Sequence, residues 1–190
     1  MSDSLITKKA IAEGLKKLTA QKNFARITVS DITNICGLNR QTFYYHFQDK
    51  FELLNWIYYN EGFCNVIDGI NLDNWDQKVL GLLRQMRVEQ GFYSNTIKNE
   101  GECFQDYLWN ICRTLFQEAM EKLDVHHVVP EEDKLSYAGF FAYGICGVIM
   151  DWVKRGMKEE PEKIAGQLKK LARNCEKFAY ERYLEENELL

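Results

Sequence analysis

Apolar residues recur every three or four positions along most of the chain, which is the spacing that places them on one face of an α-helix. In the first such segment, from about Ser4 to Gln21, the apolar stripe consists of Ile11, Leu15 and Leu18. The chain contains only two prolines, so few helices are interrupted. Similar stripes predict helices at about 49–68, 75–90, 92–99, 102–123, 131–157 and 161–178. The pattern therefore predicts an all-α fold.

Two short helices joined by a tight turn are predicted within residues 28–50. Three apolar residues share one face of the first helix: Val29, Ile32 and Ile35. Gly37 can end that helix because glycine adopts the left-handed conformation without a steric penalty. Asn39 is then a favourable N-cap for a second helix over residues 40–47. Two short helices across such a turn are typical of the DNA-binding helix-turn-helix.

The second helix of this pair begins with side chains that can read DNA bases. Arginine pairs bidentately with guanine, glutamine pairs with adenine, and threonine contacts phosphate or the thymine methyl group. Tyrosine and histidine farther along can donate to phosphates, and a lysine at the first turn of the next helix suits a phosphate as well. The residues expected to contact DNA, including two candidate caps of the first helix, are Thr28, Ser30, Asn39, Arg40, Gln41, Thr42, Tyr44, Tyr45, His46 and Lys50.

The run Thr-Val-Ser-Asp-Ile-Thr, followed by Gly-Leu-Asn-Arg-Gln-Thr-Phe-Tyr-Tyr-His-Phe-Gln-Asp-Lys, resembles the DNA-binding domain of the TetR family of transcription regulators. The resemblance covers roughly Leu5 to Leu54, and beyond it the chain is similar to the family only in length and helical character. It implies a three-helix helix-turn-helix domain at 1–50 and a larger helical ligand and dimerisation domain at 51–190. Gln41 stands where this family often has Gly or Ala, which leaves the operator sequence open.

The two long C-terminal helices carry more apolar surface than one face can hold. The helix at 131–157 has one stripe made of Ala138, Phe141, Ile145, Ile149 and Trp152, and further apolar residues at Phe140, Tyr143 and Val148. In the resembled family the last two long helices form a four-helix interface, which implies a homodimer. A dimer would read two half-sites of a near-palindromic double-stranded operator, about 34–36 Å apart. The alternative is that both helices bury their stripes within one subunit.

The run from Gly147 to Met157, Gly-x-x-x-Asp-Trp…Arg-Gly-Met, is similar to a subgroup of the family that activates dihydroxyacetone-kinase operons. That resemblance implies activation together with a dihydroxyacetone-binding co-activator protein. The alternative is a repressor of the same fold that responds to a small-molecule effector. An effector pocket would lie among aromatic residues, although aromatics at helical spacing also form plain core: Phe92, Tyr93, Phe104, Tyr107, Trp109, Phe141 and Tyr143.

The charge distribution is uneven along the chain. The net charge is −4, but residues 1–50 hold eight cationic and four acidic side chains, which leaves −8 for the rest. A basic N-terminal module on an acidic body agrees with DNA binding at one end. A different class of function is an all-α interaction module that no longer binds DNA specifically. Arg40 and Gln41 at base-reading positions argue against it.

Other chemistry finds little support in the sequence. The sequence shows no nucleophile paired with a base, no set of metal ligands and no glycine-rich phosphate loop. We therefore expect neither an enzyme nor a bound cofactor. The six cysteines lack metal-binding spacing and are interpreted as reduced, and the adjacent His126 and His127 as loop residues, so no metal site is expected. No run of about 18 apolar residues predicts a membrane span, and the N-terminus lacks a signal-peptide core. The sequence thus predicts a cytoplasmic protein.

Overall fold

The computed structural model describes residues 3–124 and 129–186, and every regular element in these residues is a helix. The all-α prediction is therefore confirmed. The helices are α1 (Asp3–Thr19), a 3₁₀ turn (Phe24–Arg26), α2 (Val29–Cys36), α3 (Arg40–His46), α4 (Lys50–Ile57), a π-helical segment (Tyr58–Phe63), α5 (Cys64–Ile67), α6 (Trp75–Val88), α7 (Gln90–Glu100), α8 (Glu102–Leu123), α9 (Glu131–Lys154) and α10 (Pro161–Glu186).

Residues 3–47, which we call the head, form the predicted helix-turn-helix unit on a small core. Its fully buried side chains include those of Ile11, Leu15, Phe24, Ile32 and Phe43. Gly37 ends α2 in the left-handed conformation, with φ of 66°, as the sequence predicts. Because the short helices are fixed by caps at their ends and by this core, the outer face of α3 is held in one orientation.

The remaining described residues, from Lys50 onward, form the body. The sequence predicts a break or bend at Gly62 and then at Asp68-Gly69, but α4, the π-helical segment and α5 form one continuous helical stretch through Gly62. Gly62 is buried, and a Cβ at this position would lie 3.4 Å from the hydroxyl of Tyr93. The stretch ends at Ile67, and Gly69 follows with φ of 66°. The π-helical segment thus continues the helix past Gly62 without ending it.

Helices α8 and α9 pack against each other along their length, and α10 packs along α6. By length and composition alone α9 could cross a membrane, with a mean hydropathy of 1.2, contrary to the expectation that no segment qualifies. However, 44% of that stretch is buried inside the protein. It also carries the buried Lys134, whose ammonium lies 2.9 Å from the carboxylate of Asp124. These properties are typical of a core helix.

The apolar surface of α9 is divided between the subunit core and solvent. Trp152 is only 2% exposed, and its indole N–H donates to the carbonyl of Glu159 at 2.9 Å, so it belongs to the subunit core. The exposed aromatic residues of the helix are instead Tyr137, Phe140 and Tyr143. The stripe of α9 that includes Trp152 therefore faces inward, and we call the exposed one (Tyr137, Phe140, Tyr143, Gly144 and Gly147) the outer stripe.

Candidate nucleic-acid interface

Helix α3 presents its base-reading candidates to solvent. Arg40 and Gln41 are exposed in its first turn, and Tyr45 is 82% exposed. The guanidinium of Arg40 lies 5.9 Å from the ring centroid of Tyr44, with a 3.4 Å contact between Nη2 and the hydroxyl. The opposite face carries Phe43, which is fully buried in the head. An exposed polar face with a buried anchor is the arrangement that allows a helix to enter the major groove of DNA.

The caps of α2 and α3 use residues that were also expected at DNA. Thr28 and Asp31 form a reciprocal capping box, in which the hydroxyl of Thr28 accepts from the backbone N–H of Asp31 at 3.2 Å. Hydrogen bonds from Lys22 and Thr28 lower the pKa of Asp31 to about 2. Asn39 caps α3 by accepting from the N–H and hydroxyl of Thr42, at 2.7 and 3.0 Å. These caps hold α2 and α3 in place, and direct contacts of these residues with DNA stay predictions.

Two other candidates, Ser30 and His46, are half-buried. Ser30 is half-buried and lies inside the first turn of α2, where Thr28 is the cap. His46 is half-buried at the end of α3, and its ring lies 5.0 Å from that of Tyr45. Their position on the helix pair agrees with a role beside the DNA backbone.

Lys50 has a different role from the one expected. Its ammonium donates to three backbone carbonyls of the 3₁₀ turn and the residue after it, those of Phe24, Ala25 and Ile27, at 3.0, 3.0 and 2.9 Å. It also lies 4.7 Å from the ring centroid of Phe24. Burial lowers the pKa of Lys50. Because its three donors are occupied by these carbonyls, we revise Lys50 from a phosphate contact to a residue that holds the 3₁₀ turn against α4.

Replacing Lys50 by methionine is therefore expected to destabilise the fold rather than weaken DNA contacts. Methionine keeps the length of the stem but leaves the three carbonyls without their donor, with a loss of about 1.5–3 kcal/mol in the free energy of unfolding. Denaturant unfolding measures this loss. The exposed Lys17 provides the control as Lys17→Met. A DNA affinity whose salt dependence falls by about one unit per half-site, with stability unchanged, would restore the phosphate role.

The aromatic residues expected around an effector pocket form packed clusters. Phe92, Tyr93 and Phe104 are buried against Tyr58, with ring centroids 6.0, 6.2 and 5.2 Å from it. Elsewhere on α8 and α9, in a second group, Trp109 lies 5.6 Å from Tyr143, and Phe116 lies 5.2 Å from Phe141. Tyr107 packs on Phe63. Helical spacing does not distinguish such a packed core aromatic from a pocket wall, and effector binding by these residues stays a prediction.

A cavity in the described part of the body is lined by residues other than the predicted aromatic ones. It measures about 30 Å³ and lies between α6, α8 and α9, with walls that include Val79, Leu82, Cys112, Phe116 and Ile145. Its walls are almost wholly apolar. A void of this size holds about one water molecule, whereas pockets for small-molecule effectors are roughly 300–1,000 Å³.

A polar cleft of about 190 Å³ opens beside this cavity, lined by Asp73, Asp76, Lys169 and Arg173. Its best-placed cation is already engaged, because the ammonium of Lys169 pairs with the carboxylate of Asp76. Among the described residues, no three His, Cys, Asp or Glu side chains form a group that could hold a metal ion. The loop histidines His126 and His127 lie outside the described residues.

Contacts between head and body involve residues that sequence reasoning did not single out. Lys16 of α1 lies 2.8 Å from the carboxylate of Glu89, and Asn95 of α7 binds backbone groups of Thr19, Lys22 and Phe24. The partners are more than 70 residues apart along the chain. No local pattern identifies such pairs, so only the structure shows that Glu89 and α7 contribute to holding the head.

Comparison with known protein families gives two matches that cover most of the chain. Residues 11–57 match the family described as bacterial regulatory proteins, tetR family, and residues 73–174 match the transcriptional regulator C-terminal region. The first match contains the whole of α2 and α3. The second contains α6 to α9 and the start of α10.

Individual relatives agree with these matches. The HTH-type dhaKLM operon transcriptional activator DhaS of Lactococcus lactis subsp. lactis (strain IL1403) is 31% identical over 88% of this chain and 89% of its own length. A solved structure described as dihydroxyacetone kinase operon activator DhaS is 27% identical, with a TM-score of 0.72, over 92% of this chain and 98% of that chain.

Two more distant structures share the fold. NalD, the secondary repressor of the MexAB-OprM multidrug efflux pump in Pseudomonas aeruginosa, is 16% identical with a TM-score of 0.60, over 88% of this chain and 94% of that one. The fatty acid degradation regulator FadR from Bacillus halodurans is 15% identical with a TM-score of 0.59, over 87% and 93%. At these identities the likeness concerns the arrangement of helices alone.

Proposed function

The chain belongs to the TetR family of DNA-binding transcription regulators and is not an enzyme, and from that premise we propose that it activates a dihydroxyacetone-kinase operon. The observation that carries the proposal is its similarity to the activator DhaS over nearly the whole of both chains. The exposed first turn of α3, with Arg40 and Gln41, supplies side chains that can read the operator.

Activation would take place together with a partner protein rather than through a small molecule bound in the body. The apolar cavity of about 30 Å³ is too small for an effector in this conformation. The aromatic side chains that could have formed a pocket pack on one another instead. Because the cavity between α6, α8 and α9 offers so little room, we infer that the signal comes from another protein, and a dihydroxyacetone-binding co-activator would provide it.

Regulators of this family bind DNA and typically dimerise, and we place the interface of the homodimer on the outer stripe of α9. Phe140 is 74% exposed, and Tyr137 and Tyr143 are exposed beside it. A Cβ at Gly144 or Gly147 would meet no atom within 4 Å, so a second helix has room to approach closely there. Members of this family are typically cytoplasmic, and we propose the same for this protein.

A reporter assay tests the proposed function. The promoter of the dihydroxyacetone-kinase genes drives the reporter in a host that lacks the system, and this chain and the candidate co-activator are supplied separately and together. We expect high output only when both are present with dihydroxyacetone. Reduced output with this chain alone, relieved by a small molecule, would show a repressor instead. No change under any condition would contradict regulation of this operon.

A further inference from the structure

The junction between α6 and α7 contacts both the turn that follows α9 and the head. Helix α6 ends at Val88 and α7 begins at Gln90, so only Glu89 separates the two helices. Among the described residues, Arg87 and Gln90 bind the end of α9, while Glu89 binds the head. Residues 87–90 thus connect α9, which carries the outer stripe, with the head, which carries α3.

The contacts with α9 are made to carbonyls of a fixed turn. The guanidinium of Arg87 donates to the carbonyl of Met157, and the amide of Gln90 donates to that of Gly156 at 2.7 Å. Both acceptor residues have left-handed backbone, with φ of 84° at Gly156 and 50° at Met157. Positive φ is rare in a residue other than glycine, and Met157 keeps it because its side chain is fully buried and its N–H donates to the carbonyl of Trp152. The carbonyls of both turn residues therefore accept from the junction between α6 and α7.

The contacts with the head centre on the ammonium of Lys16, whose side chain is only 11% exposed. It lies 2.8 Å from the carboxylate of Glu89, pairs with Glu61 of the π-helical segment, and lies 3.2 Å from Glu13. Burial disfavours its charge, but hydrogen bonds to Glu61 and Glu89 outweigh burial and raise the pKa of Lys16. The second carboxylate oxygen of Glu89 is buried without a hydrogen-bond partner. The ion pair with Lys16 thus offsets the free-energy cost of burying the Glu89 carboxylate.

The amide of Asn95 makes a second attachment one turn into α7. Its nitrogen donates to the carbonyls of Thr19 and Lys22, at 2.7 and 2.9 Å, and its oxygen accepts from the N–H of Phe24 at 2.9 Å. These backbone groups lie at the end of α1 and the start of the 3₁₀ turn, where helices leave polar groups unsatisfied. The head is thus attached at two points, at Glu89 and at Asn95.

We propose that residues 87–90 form a bracket that fixes the orientation of the head relative to α9, with Arg87, Glu89 and Gln90 as positioning residues for DNA binding. We expect none of these three residues to touch DNA. If α9 forms the dimer interface, the bracket sets the separation of the two α3 helices, and hence which half-site spacing the dimer accepts. This inference rests on the proposed dimeric DNA binding.

An ion pair on α6 that lies outside the bracket provides control variants. The guanidinium of Arg84 lies 2.7 Å from the carboxylate of Glu162, and this pair joins α6 to α10 instead of the head. Both side chains are about half exposed. Glu162→Gln and Arg84→Gln therefore each remove one charge, as Glu89→Gln and Arg87→Gln do, but leave the bracket residues unchanged.

The test compares full operators with half-sites. The wild-type protein first selects its operator from a random library of DNA duplexes, and affinities are then measured for that operator, for a single half-site, and for operators with one or two base pairs inserted at the centre. We expect Glu89→Gln to lower affinity for the selected operator by about tenfold or more while half-site affinity stays within about twofold. The variant should also lose its preference for the selected spacing, whereas Glu162→Gln should behave as wild type.

Other outcomes are equally informative. An equal loss at full operators and half-sites would mean that Glu89 only supports folding of the head, and unchanged spacing preference would likewise overturn the bracket. Gln90→Ala removes a single neutral hydrogen bond and should likewise weaken the spacing preference, without loss of thermal stability. The double variant Arg87→Gln/Glu89→Gln should bind no more weakly than Glu89→Gln, and additive losses would contradict a single device. If the wild type selects no sequence at all, the proposed function itself fails, and the bracket with it.

Discussion

Replacing Arg40 by alanine is expected to abolish sequence-specific DNA binding while leaving the fold intact. Arg40 is exposed in the first turn of α3, and its closest partner is Tyr44 on the same helix. A bidentate contact with guanine is worth about 1–3 kcal/mol, and a dimer would lose two of them. The operator affinity should fall by roughly 30-fold or more. Titration of labelled operator and unrelated DNA at several salt concentrations measures both affinities.

Arg40→Lys is the control that separates charge from base reading. Lysine keeps the cation but not the planar fork that pairs with two base acceptors. We expect this variant to retain the affinity of wild type for unrelated DNA and to lose discrimination for the operator. If Arg40→Ala weakens binding to operator and unrelated DNA by the same factor, Arg40 contacts phosphate, and base reading must be assigned elsewhere on α3.

Replacing Phe140 by glutamate is expected to convert the dimer into folded monomers. Phe140 is 74% exposed in the subunit, so the glutamate meets water in the monomer but would be buried opposite its own copy in the dimer. Loss of the apolar contact from both copies is about 3–6 kcal/mol, which raises the dimer dissociation constant by roughly 10²–10⁴-fold. Sedimentation velocity over a concentration series measures this change, and circular dichroism verifies the helical content.

Two further variants locate the interface. Ile67→Glu places the same charge at an apolar residue that is exposed elsewhere on the body, and it should remain dimeric. Trp152→Glu would bury a charge in the core of the subunit and should unfold the protein rather than separate the subunits. A Phe140→Glu protein that stays dimeric would move the interface away from the outer stripe.

The head could be predicted closely from the sequence because its signals are local. Thr28 and Asp31 lie three residues apart and bond to each other, Gly37 directly follows the helix that it ends, and Asn39 caps the helix that begins at the next residue. In each case the residue and its partner lie within one turn. Patterns that act over one turn can be recognised without a structure.

The features that the sequence did not reveal depend on partners far along the chain. Lys50 donates to carbonyls more than 20 residues before it, and Glu89 pairs with a lysine 73 residues away. Likewise, the apolar pattern of α9 does not reveal that Trp152 faces the core while Phe140 faces solvent, because a helix apolar on several sides has no unique inner face. Only the packing of α9 on α8 decides which stripe remains exposed.

Hydroxyl-radical footprinting of the wild-type protein, on DNA upstream of its own and neighbouring genes, tests most directly that two copies of α3 read one operator. We expect two protected half-sites about 34–36 Å apart on one face of the duplex. We also expect that the protection is lost with Arg40→Ala at the same protein concentration. Uniform protection without a preferred sequence, together with steep salt dependence, would show attraction to the DNA backbone alone and would contradict the account.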